Sequence, residues 1–119
     1  MKESQTLYES FKSNLNESEE TNKYNEEVKT KLFNWAKDKE VVSIGFICNF
    51  TAWINNLEDE ESKEDFINRF YNEYGNRINI ITKPKYEEDE TTLRANFKFK
   101  AYKNGDAYKA SGVIFISTN

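Results

Sequence analysis

The chain of 119 residues has no histidine, one cysteine, one proline, four scattered glycines and no long apolar run. Without histidine, the commonest general base, every histidine-based triad and the usual zinc ligand sets are missing. Cys48 cannot close an internal disulfide, which fits a reducing compartment, and no histidine stands ready to activate it. Glycines at 45, 75, 105 and 112 form no phosphate-cradling loop. No segment approaches the run of about 18 apolar residues that a spanning helix needs, and the polar first residues lack the apolar stretch of a secretory leader. The expectation is a cytoplasmic protein with no membrane span, no metal, no cofactor and no catalytic residue. Paired carboxylates do acid–base work only when burial raises their pKa, and the acids here fall in hydrophilic runs.

What the chain does have is aromatic bulk. Phe, Tyr and Trp make up 15% of a sequence whose mean hydropathy is only −0.90. Rings bury much area per residue, so the core is expected to rest on Phe and Tyr rather than Leu. One domain over residues 1–119 suits this length, with residues 1–38 as a helical N-terminal part and 41–119 as a sheet-plus-helix core. The Asn, Lys, Glu and Ile bias, with three arginines, suggests an AT-rich genome, and a small acidic protein of that origin fits an inhibitor or immunity protein of a phage or mobile element.

Apolar spacing predicts a first helix over residues 4–15, from Leu7, Tyr8, Phe11 and Leu15, and a second over 19–38. The second carries Tyr24, Val28, Leu32 and Trp35, widened by Phe33 and Ala36. Strict alternation of Val42, Ile44, Phe46, Cys48, Phe50, Ala52 and Ile54 then predicts one long strand over 41–55. A third helix is expected over 60–75, started by Ser62 with Asp65 and ended by a left-handed Gly75. Its buried stripe is Phe66, Ile67, Phe70, Tyr71 and Tyr74.

Three strands close the chain, over 77–86, 91–103 and 106–117. Pro84 cannot donate to a ladder, which places the first of them at an edge or ends it nearby. Asn104-Gly105 is the preferred two-residue hairpin turn. It sets Lys103 opposite Asp106, Phe99 opposite Ala110, Phe97 opposite Gly112, Ala95 opposite Ile114 and Leu93 opposite Ile116. The expected fold class is α+β: two N-terminal helices, then β-α-β-β-β with a four-stranded antiparallel sheet packed on the third helix. In element order alone this is similar to cystatin-like and NTF2-like rolls, an analogy of architecture that assigns no function.

Charge is uneven along the chain. Residues 57–90 hold eleven acids and five bases, whereas 91–119 hold one acid and five bases. Glu58, Asp59, Glu60, Glu61, Glu64 and Asp65 form one acidic cluster, and Glu87, Glu88, Asp89 and Glu90 another. Such runs commonly serve as solvated turns and helix starts. They can also imitate a phosphate backbone and steer a basic partner. With Phe97 and Phe99 facing inward, Arg94, Lys98, Lys100, Lys109 and Phe115 share the outer sheet face. That face suits a covered sheet, a homodimer contact or, less well given the acidic total, nucleic acid.

The expected function is a non-enzymatic inhibitor or immunity-type module that binds a basic or nucleic-acid-binding protein through the acidic clusters. The competing reading is a small-molecule-binding or hydrolytic roll with a pocket between the third helix and the sheet. Tyr71, Tyr74, Tyr86, Tyr102 and Tyr108 are the candidates to line it.

Overall fold

The computed structural model describes residues 23–118. The expected first helix, and residues 19–22 of the second, lie outside the described residues. Helix α1 covers residues 23–36 and buries Val28, Leu32, Trp35 and Ala36, the stripe its spacing predicts. Helix α2, Lys63–Tyr74, buries Phe66, Ile67 and Phe70. Both helices contribute to one cluster of buried residues with the inner face of an antiparallel sheet. The architecture is therefore α+β.

Among the described residues the sheet has six strands rather than the four expected. They are β1 (Val41–Cys48), β2 (Thr51–Asn56), β3 (Asn79–Ile80), β4 (Lys85–Glu88), β5 (Thr92–Lys103) and β6 (Asp106–Thr118). Their order is β2-β1-β6-β5, with β3 and β4 sharing the far side of β5.

Two segments account for the extra strands. The expected long strand over 41–55 is a hairpin: Cys48 pairs with Thr51, leaving Asn49 and Phe50 as the turn. Reversal flips the parity, so Phe46 faces Trp53 and Ile44 faces Asn55. Trp53 then packs inside, 5.5 Å from the Phe46 ring and stacked on Tyr74 at 4.8 Å. Ala52 and Ile54 turn outward instead. Packing the larger indole inward buries more apolar area than Ile54 would, and this decides the reversal. A register shift between Val41 and Ser43 likewise puts Val41 inside and leaves Val42 exposed.

The expected strand over 77–86 is broken near Pro84, whose ring cannot donate to β5. Across the gap the Thr82 hydroxyl accepts the Lys98 N–H at 2.9 Å, so β5 loses no hydrogen bond there.

Gly75 is not left-handed. Its φ of −57° starts a single 3-10 turn, Gly75–Arg77. The Gly75 N–H still bonds the Tyr71 carbonyl, and Asn25 on α1 donates to the Gly75 and Ile78 carbonyls at 3.3 and 3.2 Å, tying the 3-10 turn to the first helix.

The β5–β6 hairpin follows the expected register at every named pair. Asn104 and Gly105 have φ of 54° and 85°, as the tight turn requires. Phe97 and Phe99 are buried and Lys98 is exposed. Gly112, opposite Phe97, leaves room for Phe46, since a Cβ there would stand 2.7 Å from that ring.

Candidate functional site

The acidic segment between β2 and α2 is ordered by its own bonds. Ser62 caps α2, its Oγ accepting the Asp65 N–H at 3.0 Å. Glu64 and Asp65 occupy the first turn, where the helix dipole favours anions. Glu61 folds back onto Arg69 in a two-pronged pair, Oε2 to Nε at 2.9 Å and Oε1 to Nη2 at 3.0 Å. Those hydrogen bonds hold the Glu61 carboxyl below the usual carboxylate range. Arg69 Nη2 also donates to the Asn56 carbonyl at 2.9 Å, fastening the end of β2 to α2.

The second cluster lies on β4 and the β4–β5 turn. Asp89 Oδ1 accepts the N–H groups of Thr91 and Thr92, both at 2.9 Å, which lowers its pKa. Arg94 stands 3.9 Å from its other oxygen.

Strand register relates the two clusters. Asn55, Ile44, Ile116, Leu93 and Glu88 form one row across β2, β1, β6, β5 and β4. Both clusters therefore sit at the same end of the sheet, at opposite corners. Four strand spacings of about 4.8 Å separate those corners by roughly 19 Å. Glu61 and Asp89 are engaged internally. Glu58, Asp59, Glu60, Glu64, Asp65, Glu87, Glu88 and Glu90 are exposed.

The outer sheet face carries the expected cations. Arg94 lies opposite Phe115, Lys98 opposite Ser111 and Lys100 opposite Lys109. Lys98 Nζ donates to Ser111 Oγ at 2.9 Å. Phe115 lies on this outer face, as its pairing with Arg94 predicts, and is half-buried there. It lies over Gly45 of β1, where a Cβ would meet its ring at 2.8 Å. Beyond it the face becomes apolar, with Ile47 and Ile54 at 39 and 52% exposure. Phe115 thus joins a basic half on β5 to an apolar half on β1 and β2.

At the other end of the sheet a cleft of about 590 Å³ opens between the β1–β2 turn, the 3-10 turn and the end of β5. Phe46 and Phe99 belong to its lining and are nearly fully buried. Phe50 and Trp53 extend the aromatic lining, Arg77 stands beside Trp53, and the stretch of β5 from Lys100 to Tyr102 forms the cleft's border. The Arg77 guanidinium sits 5.7 Å from the Trp53 ring centre and 6.0 Å from that of Tyr74. No carboxylate lines the cleft among the described residues.

Of the tyrosines named from sequence, only Tyr102 borders this cleft. Tyr71 is packed between the helices, where burial pushes its phenol up. Tyr74 stacks on Trp53. Tyr86 donates to Glu27 at 2.9 Å, and burial, then that carboxylate, raises its pKa. Tyr108 is exposed. Cys48 is half-buried and packs against the core cluster.

Sequence reasoning missed Phe50, Trp53 and Arg77 as site residues, because a continuous strand over 41–55 sends Trp53 to the wrong face. Reading Asn49-Phe50 as a turn would have paired Phe46 with Trp53.

Among the described residues, no group of His, Cys, Asp and Glu is arranged to hold a metal ion, and no helix is long and apolar enough to cross a membrane. No protein-family model, curated protein or solved structure matches the chain.

Proposed function

We propose that the chain is a binding module that captures a basic or nucleic-acid-binding protein with the acidic end of its sheet and blocks that protein's own contacts. One observation carries this reading: the fold brings two acidic clusters, well separated in sequence, to two corners of one end. The internal pairs of Glu61 with Arg69 and of Asp89 with its own turn fix the backbone that presents the remaining carboxylates. Pre-ordered charges steer association and lose less entropy on docking than charges on a loose loop. A span of roughly 19 Å between the corners is of the order of several phosphate spacings along a nucleic-acid strand. No step of bond-making chemistry is assigned to the chain.

Capture from lysate of the source organism tests the reading, with partners identified by mass spectrometry. The variant Glu60→Lys, Glu64→Lys, Glu87→Lys, Glu88→Lys should lose a basic partner that the wild-type chain retains at low salt. A matched outer-face variant, Lys98→Glu with Lys109→Glu, should retain it. Equal retention by wild type and the acidic-end variant would reject this surface.

A further inference from the structure

We propose that the outer face of the sheet is the docking surface for this chain's own residues 4–22. Helices α1 and α2 both join the core on the inner face, so among the described residues no helix covers the outer one. Register sets the outer side chains in rows. Lys85, Asn96, Val113, Ile47 and Ala52 form one row across β4, β5, β6, β1 and β2. Glu87, Arg94, Phe115, Gly45 and Ile54 form the next. Each row runs from polar residues on β4 and β5 to apolar ones on β6, β1 and β2. Ile47 and Ile54, both exposed, are diagonal neighbours there, with Val113 and Phe115 half-buried beside them. A contiguous apolar patch bordered by charge is the mark of an interaction surface.

The polar half lacks acid where it meets the gap between β3 and β4. Lys83, Lys85 and Lys98 line a cleft of about 500 Å³ there, and among the described residues no carboxylate lines it. Lys83 reaches back to Glu27 on α1 at 3.4 Å, and Lys98 donates to the neutral Ser111 hydroxyl. The first 22 residues carry the complement in both respects. Glu3, Glu9, Glu17, Glu19 and Glu20 stand against only Lys2 and Lys12. The spacing of Leu7, Tyr8, Phe11 and Leu15 predicts a single apolar stripe over residues 4–15. The stripe matches the apolar half of the face, and Glu17, Glu19 and Glu20 match the lysine cleft.

The place where the described chain begins suits this path. Asn25 is bonded to the Gly75 and Ile78 carbonyls, and Glu27 to Tyr86 and Lys83. The start of α1 is therefore held beside the β3 and β4 edge, next to the lysine cleft. Residues 16–22, seven in all, reach at most about 24 Å when extended. That length rounds the edge and crosses the two or three strand spacings of about 4.8 Å to β6 and β1. A helix over residues 4–15 would then lay about 18 Å of stripe along the apolar half. A second copy is a poorer occupant, because a two-fold pair sets this face against itself and brings it no acid. Docked, the segment also withholds the outer lysines from the acidic end of another molecule, a contact that would chain copies head to tail.

The test uses the full chain with a nitroxide attached at Ser13→Cys in a Cys48→Ala background. The helical period sets position 13 away from the stripe, so the label leaves the docking surface clear. Isoleucine methyl signals are compared with the label oxidised and reduced. Ile47 and Ile54 should lose most of their intensity, and Ile67, buried in α2, should keep most of its own. The loss should disappear when Leu7→Ser and Phe11→Ser are added, and again when Lys85→Glu and Lys98→Glu, both at exposed positions, are added instead. Unshifted signals of the buried Ile44 and Ile114 show that each variant keeps its core. The proposal is overturned if Ile47 and Ile54 keep their intensity, or if the lysine reversals leave their loss unchanged. It is overturned as well if the loss arises only between labelled and unlabelled molecules in a mixed sample, which would make a second copy the occupant. Loss at the Trp53 indole without loss at Ile54 would place the segment in the aromatic cleft instead and overturn it too. No carboxylate of the acidic end is altered in these variants, so this inference and the proposed function fail separately.

Discussion

Lys63, the first residue of α2, closes the last turn of α1: its Nζ donates to the Ala36 carbonyl at 2.6 Å. The same ammonium reaches the carbonyls of Lys37 at 2.8 Å and Lys39 at 3.0 Å. A helix C-terminus carries unsatisfied carbonyls and a partial negative charge, so one cation serves both needs. It also fixes the end of α1 to the start of α2. Lys63→Met removes all three bonds while keeping the apolar stem. It should destabilise the fold by about 1.5–3 kcal/mol, the range of hydrogen bonds to charged groups. Lys37→Met, at an exposed position, should stay within about 0.5 kcal/mol of wild type. Urea denaturation measures both, and equal effects would remove the capping role.

Gly45 of β1 permits Phe115 of β6 to lie flat on the outer sheet face. A Cβ at position 45 would meet the Phe115 ring at 2.8 Å and the Trp53 carbonyl oxygen at the same distance. Gly45→Ala should therefore destabilise by about 1–3 kcal/mol, the usual range for overpacking. In combination with Phe115→Ala the loss should be smaller than the sum of the two single losses, because the ring clash is gone. It should not vanish, because the Trp53 carbonyl belongs to the backbone. Additivity within error would show that the ring gives way without strain.

How far the sequence could be read depended on turn chemistry. Asn104-Gly105 places two residues that tolerate positive φ between alternating runs, and every pairing of β5 with β6 follows from it. Asn49-Phe50 carries no glycine or proline, and the apolar alternation continues through it without a break. Periodicity cannot see a turn across which the apolar pattern runs on while the inward parity flips, so it sends Trp53 and Ile54 to each other's faces. Pro84 warned of an interrupted edge, but only pairing with β5 shows two strand pieces and the Thr82 hydroxyl that bridges them. The acidic clusters are plain in the sequence. That they share one end is not, because it depends on the order β2-β1-β6-β5.

Acid should weaken the fold through Glu61 and Asp89. Both carboxyls have folded pKa values held down, Glu61 by Arg69 and Asp89 by the N–H groups of Thr91 and Thr92. A depressed folded pKa contributes stability that is fully present above the unfolded value. That stability is lost as pH falls through the folded value. These two groups should thus leave stability flat above about pH 5 and reduce it below about pH 4. Glu61→Gln with Asp89→Asn should be less stable at neutral pH and show a shallower acid slope. Denaturation midpoints between pH 7 and 2.5 check this, and an unchanged slope would assign the acid loss to other carboxylates.

Glu60 has a φ of 65°, the left-handed region that side chains with a Cβ adopt at a cost. It stands in the turn that carries the chain from β2 to the α2 cap, one residue before Glu61. The strain is sustained because the segment is pinned on both sides. The Glu58 N–H donates to Glu61 Oε1 at 3.1 Å, and the Glu61 N–H donates to the Glu58 carbonyl at the same distance. Asparagine tolerates this conformation better than glutamate and, unlike glycine, adds little freedom to the unfolded chain. Glu60→Asn should therefore stabilise the protein by about 0.5 kcal/mol. Glu60→Val, β-branched in the same conformation, should destabilise it by about 1 kcal/mol or more. Both variants remove the same charge, so their difference isolates backbone strain from electrostatics. Equal stability of the two would mean that the turn relaxes out of the left-handed region in solution. The carboxylates of the acidic end would then be presented from a loose segment rather than a fixed one.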